Sequence, residues 1–271
     1  MKKWFAVIGD PIAHSKSPQM HNTWFAELNI NATYIPIHVQ AQDLSRAVES
    51  LRLLGASGFN VTIPHKEAIL PLLDELDPMA QRMGAVNTVV RLADGRFKGY
   101  NTDGVGFVRS LEAQIGTTHR KDAVLLIGAG GAARGIAFAM QQAGYDHITI
   151  CNRTVARAEA LVQELNMGTA ISLQQAELDL ANYNIVIQVT SAGLNQNFAL
   201  PFALTHLQRG TVVADIVYNP LITPFLAEAK HKEATIVTGV GMFVHQGAIA
   251  FEHWLQQQPD TNLMIATISG N

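Results

Sequence analysis

The run Val124-Leu125-Leu126-Ile127-Gly128-Ala129-Gly130-Gly131-Ala132-Ala133 constrains this chain more than any other stretch. Four apolar residues that read as a buried strand pass at once into the spacing GxGxxA. An apolar helical pattern follows over residues 132–143 and ends at Gly144. In that setting Gly128 permits a tight turn and Gly130 lets backbone amides approach a pyrophosphate. The small side chain at Ala133 lets the helix pack close to the strand. The first turn of that helix presents unsatisfied N–H groups and a partial positive charge to an anion. A glycine-rich turn with no ligand would need neither the strand before it nor the helix after it.

The same rhythm runs through the chain. Strand patterns at residues 4–8, 33–39 and 58–61 alternate with helical ones at 18–28 and 43–54, the second opened by Asp43 as N-cap and closed by Gly55. Ala93-Asp94-Gly95 reads as a hairpin tip between strands at 88–91 and 97–100. A helix over 105–115 and a polar stretch, 116–122, mark the boundary between two lobes. Beyond it strands are expected at 123–127, 147–151, 184–189, 211–216 and 235–238, and a helix rich in Ala, Phe and Trp at 242–255. Five parallel strands with crossover helices make a Rossmann-type, doubly wound sheet. The expected class is therefore α/β with two lobes.

Composition narrows the functional classes. A chain of 271 residues fits about two domains. Nineteen Lys and Arg against 22 Asp and Glu leave a net charge of −3, which argues against a nucleic-acid partner, since phosphate binding needs clustered cations. Cys151 is the one cysteine, so neither an intramolecular disulfide nor a Cys-rich zinc site can form. The apolar stretch 4–8 is too short for an export signal, and no run is long enough to span a membrane. The expected setting is a reducing cytoplasm, without a membrane partner.

The second strand of the doubly wound lobe bears on the choice of dinucleotide. An NAD site usually carries an acid at this strand's end to bind the ribose 2′-hydroxyl. Here the strand ends Cys151-Asn152-Arg153-Thr154, with Arg157 one turn on and no carboxylate before Glu159. Arg153 and Arg157 can neutralise a 2′-phosphate, and Asn152 and Thr154 can hydrogen-bond it, which points to NADP.

The first lobe places polar residues at strand ends. Pro11-Ile12-Ala13-His14-Ser15-Lys16-Ser17-Pro18 carries two hydroxyls before a proline suited to starting a helix, which by itself also reads as a capping sequence. Asn60-Val61-Thr62-Ile63-Pro64-His65-Lys66 delivers a lysine from a proline-stiffened loop. Asn87 and Asn101-Thr102-Asp103-Gly104 add amides and a carboxylate. In α/β sheets such loops gather at one crevice.

Taken in order, Ser15 to Pro18, Asn60 to Lys66, Gly84-Ala85-Val86-Asn87-Thr88, Asn101 to Gly104, Gly128 to Ala132, Asn152 to Thr154 and Gly241-Met242-Phe243-Val244-His245-Gln246-Gly247-Ala248 resemble the shikimate dehydrogenase family over nearly the whole chain. The resemblance implies an NADP-linked oxidoreductase that interconverts 3-dehydroshikimate and shikimate in aromatic amino-acid and chorismate biosynthesis. It implies a substrate lobe over 1–103, completed by C-terminal helices at 242–271, and an NADP-binding lobe over 104–241, with the active site in the cleft between them. It assigns Lys66 and Asp103 as the catalytic pair. Ser15, Ser17 and Tyr218 would hold the substrate carboxylate, and Thr62, Asn87, Asp103 and Gln246 its ring hydroxyls. Gly128, Ala129, Gly130, Gly131, Ala132, Asn152, Arg153, Thr154, Arg157, Thr190, Ile216 and Gly239 would contact the cofactor. The expected assembly is a monomer or homodimer with a small-molecule substrate as its only partner.

Two positions depart from the family pattern. Gln188-Val189-Thr190 stands where Asn-Ala-Thr is usual, which puts a longer amide at the cofactor cleft, and Gly239-Val240-Gly241-Met242 replaces Gly-Leu-Gly-Met. Ten histidines invite a metal hypothesis, but no HExxH occurs, and His14, His65 and His245 read as loop or surface residues. The competing readings are a quinate-directed relative, often NAD-linked, a folate enzyme with a catalytic lysine, and a non-catalytic NADP(H) sensor.

Overall fold

The apolar strand runs and glycine punctuation define two separate sheets. A computed structural model describes residues 2–193 and 200–270 and divides the chain into two compact units, Met1–Thr102 with Gln246–Met264 and Asp103–His245 with Ile265–Asn271. Residues 246–264 of the tail fall in the first unit.

In the first unit the strands are β1 (Lys3–Gly9), β2 (Ala32–His38), β3 (Gly58–Val61), β4 (Glu75–Leu76), β5 (Thr88–Arg91) and β6 (Phe97–Tyr100), ordered β2-β1-β3-β5-β6-β4. β1 lies parallel to β2 and β3, β5 runs antiparallel to β3, and β5 and β6 form the expected hairpin. Its tip closes through Leu92 N–H to Arg96 O at 2.8 Å, with Gly95 at φ +87°. Helices α1 (Ser17–Glu27), α2 (Leu44–Leu53) and the short α3 (Pro78–Met83) connect them. Gly55 follows α2 at φ +74°, as a C′ glycine should, but the Asp43 side chain makes no cap bond because a 3₁₀ turn over Ala41–Asp43 precedes the helix. β4 and α3 escape a periodicity reading: one is two residues long and the other six, too short to show a period.

One face of this sheet packs on Phe59 and Phe97, edge to face at 5.3 Å. Elsewhere in the unit an aromatic cluster encloses His21. Its ring stacks on Tyr34 with centroids 4.4 Å apart, lies 6.2 Å from Phe251 and meets Trp24 edge-on at 5.4 Å. His21 is fully buried, and among the described residues neither ring nitrogen has a hydrogen-bond partner.

Among its described residues the second unit carries six parallel strands, not five: β7 (Val124–Ile127), β8 (Ile148–Asn152), β9 (Thr169–Ser172), β10 (Ile185–Gln188), β11 (Val212–Asp215) and β12 (Thr235–Val237). β9 is invisible to the apolar pattern because Thr-Ala-Ile-Ser is a half-exposed edge strand. The order β12-β11-β10-β7-β8-β9 is that of a Rossmann fold, and it reverses between β7 and β10. Helices α4 (Asp103–Ile115), α5 (Gly131–Ala143), α6 (Val155–Leu165), α7 (Leu173–Leu178) and α8 (Pro224–His231) follow, then α9 (Gly239–Leu255) and α10 (Thr261–Ser269). Cys151 is a core residue here, its thiol pushed up to about 12 by burial.

The crossing of α4 and α5 depends on Gly104. A methyl on Gly104 would overlap the Gly135 carbonyl group, whose carbon lies 2.7 Å from the new atom. Backbone cannot yield there as a flexible side chain could. Gly104→Ala is therefore expected to lower Tm by roughly 5–10 °C, measured by calorimetry. An unchanged Tm would show that the helices separate at little cost.

Candidate active site

Within the first unit Asn60, Asn87, Thr102 and Gln246, all within motifs singled out by sequence, join Tyr34 and Thr88 in one hydrogen-bonded network at the strand ends. The loop after β3 is pinned by its backbone: Thr62 N–H donates to Ile8 O at 3.0 Å, and Val86 N–H donates to Lys66 O at 2.8 Å. His65, expected at a loop surface, is instead buried, with Nε2 2.7 Å from Val39 O. That contact anchors the residue before Lys66 while Ile63 and Pro64 stay exposed, and an open pocket is lined by Ile63, Pro64, Lys66, Glu67 and Ala68. Lys66 itself is half-buried.

Asn87 is the hub. Its Oδ1 accepts from Thr102 N–H at 2.9 Å and from the Thr88 hydroxyl at 3.0 Å, and its Nδ2 donates to Thr102 Oγ1 at 2.9 Å and to Gln246 Oε1 at 3.3 Å. The expected pair Asn87 and Gln246 is thus brought together, although 159 residues separate them in sequence. Asn60 extends the network, donating from Nδ2 to Asn87 O and Thr88 Oγ1 and accepting at Oδ1 from the Tyr34 hydroxyl at 2.7 Å. Burial pushes the Tyr34 phenol well above its ordinary range, against a lowering hydrogen bond from Ser17. Ser15 and Ser17 lie in the turn before α1, where Ser17 N–H donates to Ser15 Oγ at 3.3 Å. Lys16 at the N-cap position makes no side-chain cap bond, so it is Ser15 Oγ that takes the first N–H of α1, and Pro18 stands in the first turn. Asp103 is the residue after Thr102 and opens α4.

Tyr34 and Thr102 join this network without having been singled out individually in the sequence. A tyrosine in an alternating strand carries no sign of which way its hydroxyl points, and Thr102 stands out only as part of a motif.

The second unit has the features a dinucleotide needs. Gly128 sits at φ +124°, and a Cβ there would lie 2.8 Å from Thr190 Cγ2, so the turn after β7 tolerates no side chain. A Cβ on Gly130 or Gly131 would meet nothing within 4 Å, so the backbone there faces open space. No side chain caps α5 at Gly130, which leaves its first N–H groups available to an anion. Gly130, Gly131 and Ala132 are exposed and Ala129 half-buried, while Ala133 is buried against the sheet. At the end of β8, Asn152 Nδ2 donates to Thr154 O at 2.9 Å. Arg153 and Arg157 are exposed, and among the described residues neither forms an ion pair with an acid. These residues fit a 2′-phosphorylated dinucleotide.

Ile216 and Gly239 are also adjacent, a Cβ on Gly239 lying 2.5 Å from Ile216 O. The Tyr218 ring stacks on Phe243 at 4.7 Å, and burial raises its phenol above the ordinary value, so it stays a neutral donor. Gln188, expected at the cofactor cleft, is instead buried inside the sheet at 1% exposure. Its amide is taken up by Asp215 and by the turn that follows β10.

Among the described residues no group of three or more His, Cys, Asp or Glu side chains could hold a metal ion, and no helix is long and apolar enough to cross a membrane.

Comparison with known proteins agrees with this geometry. Residues 7–89 match the family model of the shikimate dehydrogenase substrate binding domain, 110–216 that of shikimate / quinate 5-dehydrogenase, and 239–268 that of the shikimate 5′-dehydrogenase C-terminal domain. The chain is 65% identical over 270 residues to the NADP(+) shikimate dehydrogenase of Lysinibacillus sphaericus (strain C3-41), covering 99% of this chain and 98% of that protein. Among solved structures it is similar to shikimate 5-dehydrogenase from Thermus thermophilus in complex with NADP(H) and shikimate. That match has a TM-score of 0.88 at 37% identity and covers 98% of each chain. It is also similar to quinate dehydrogenase from Corynebacterium glutamicum in complex with NAD, with a TM-score of 0.91 at 29% identity over 100% of this chain and 99% of that one.

Proposed function

The chain belongs to the shikimate dehydrogenase family, and on that premise we propose that Lys66 and Asp103 are the catalytic pair of an NADP-dependent interconversion of 3-dehydroshikimate and shikimate. The observation that carries the reading is the full-length likeness at 65% identity to an NADP(+)-dependent shikimate dehydrogenase.

Oxidising a secondary alcohol requires that a hydride leave carbon and a proton leave oxygen. Bound NADP+ supplies the hydride acceptor, and NADPH the donor in reverse. Lys66 Nζ takes the hydroxyl proton in oxidation and returns it to the oxygen in reduction, and its positive charge stabilises the developing alkoxide. Asp103 orients the lysine and the reacting hydroxyl. Thr62, Asn87 and Gln246 hydrogen-bond the ring hydroxyls. Asn87 and Gln246 are already held by neighbours, so little ordering is left for binding to impose. Ser15, Ser17 and the neutral Tyr218 donate to the carboxylate. Gly128 to Ala132, Thr190, Ile216 and Gly239 cradle the dinucleotide. Asn152, Arg153, Thr154 and Arg157 hold its 2′-phosphate. The enzyme works in the cytoplasm as a monomer or homodimer.

The test is absorbance at 340 nm with shikimate and quinate crossed against NADP+ and NAD+. Turnover of shikimate with NADP+ in preference to the other pairs is expected, and turnover only with quinate or NAD+ would sink the reading. Arg153→Ala should raise the KM for NADP+ about 10- to 100-fold while barely moving that for NAD+, since each charge-assisted bond to phosphate contributes about 1.5–3 kcal/mol. An equal rise for both cofactors would remove Arg153 from the 2′-phosphate.

A further inference from the structure

β10 and β11 are apolar until their last residues, Gln188 and Asp215, which are register partners across the parallel pair. Both are 1% exposed. Burying an amide and a carboxylate is costly unless every polar atom finds a partner, and here the partners are the turns that leave the sheet. Gln188 Oε1 accepts from Thr190 N–H, its Nε2 donates to Ala192 O at 2.9 Å and to Asp215 Oδ1 at 3.2 Å, and its backbone O accepts from Ile216 N–H at 3.2 Å. Asp215 Oδ1 also accepts from Val217 N–H at 2.9 Å, and its Oδ2 accepts from the Thr223 hydroxyl at 2.7 Å. Burial raises the Asp215 carboxyl while these three donors favour the ion.

The segments so held frame the point where the strand order reverses, which is where doubly wound sheets bind dinucleotides. On the other side of Gln188, its register partner is Ile127, the residue before Gly128. Thr190 packs on Gly128, and Ile216 packs on Gly239. Neither glycine position leaves room for a Cβ beside these turns: it would lie 2.8 Å from Thr190 Cγ2 at Gly128 and 2.5 Å from Ile216 O at Gly239.

We propose that Gln188 is a positioning residue for the cofactor, its side chain holding the Thr190 turn against Gly128 directly and the Ile216 turn against Gly239 through Asp215, and thereby setting the affinity for NADP(H). The proposal rests on the NADP-binding reading of the second unit. Gln188→Met preserves side-chain length and removes all its side-chain polar bonds, and Gln188→Asn retains the amide but withdraws it by one methylene. Titration calorimetry of the full chain with NADP+ alone should show Kd raised about tenfold in Gln188→Met and less in Gln188→Asn. The KM for shikimate at saturating NADP+ should stay within about twofold of wild type, a split that a general loosening of the fold would not produce. An NADP+ Kd within twofold of wild type would overturn the proposal, as would a shikimate KM that rises in step with it. If Gln188→Met does not fold, the same comparison on Gln188→Asn decides it. Calorimetry needs no turnover, so a wild type that binds NADP+ without oxidising shikimate would fail the functional reading and leave this comparison intact.

Discussion

Lys66→Ala is expected to lower kcat for shikimate oxidation about a thousandfold, the scale of a lost general acid–base group, while NADP+ binds with unchanged Kd. The loss should be chemical and not structural, because the loop is held by backbone bonds that alanine retains: Val86 N–H to Lys66 O at 2.8 Å and His65 N–H to Thr62 O at 2.9 Å. His65, fixed to Val39 O, sets the direction from which residue 66 leaves the loop. Rapid-mixing kinetics with shikimate and NADP+ separates the cases. A variant with near-wild-type kcat and a raised KM for shikimate would make Lys66 a binding residue and move the proton to another group.

The second large effect concerns stability. Burial lowers the His21 imidazole from 6.5 to about 3 in the folded chain, with desolvation as the cause. Between those values the unfolded chain binds a proton that the folded chain refuses, so stability falls as pH drops. The contribution is complete above pH 6.5 and is lost progressively down to about pH 3, by about 5 kcal/mol at 1.4 kcal/mol per unit. That is comparable to the whole stability of many domains. His21→Phe should abolish this slope and, by removing two buried nitrogens that lack partners, raise stability at pH 7 by roughly 1–2 kcal/mol. The check is urea unfolding of both proteins from pH 3.5 to 7.5. A difference between them that stays constant across that range would mean His21 titrates normally, with a partner or water reaching its ring. Tyr34, stacked on it, is raised and remains neutral throughout.

Much of the site is legible in the sequence because the chemistry uses residue types a plain core would not. Gly128, Gly130 and Gly131 are needed where backbone must approach a ligand, and the letters after β8 show an acid missing and two arginines present. β1, β3 and β7 are readable as apolar runs closed by turn residues, and β5 and β6 as the arms of the hairpin at Ala93-Asp94-Gly95. The folded arrangement alone places Asn87 against Gln246 and Asn60 against Tyr34, since hydrogen bonds between strand ends depend on register and not on spacing along the chain. It also moves Gln188 from the cleft into the sheet and His65 from the surface into the core. A polar residue closing an apolar strand is visible in Ile-Val-Ile-Gln and Val-Val-Ala-Asp, but a single strand cannot say that its neighbour ends in a matching group.

Residue types at short separations pointed to the α/β class, the nucleotide turn and a 2′-phosphate, and the ordered motifs carried the resemblance to the family. The sixth strand, the aromatic enclosure of His21 and the amide–carboxylate pair at the ends of β10 and β11 came from the folded chain alone. Those depend on which distant segments share a buried surface, and local propensity carries no record of that.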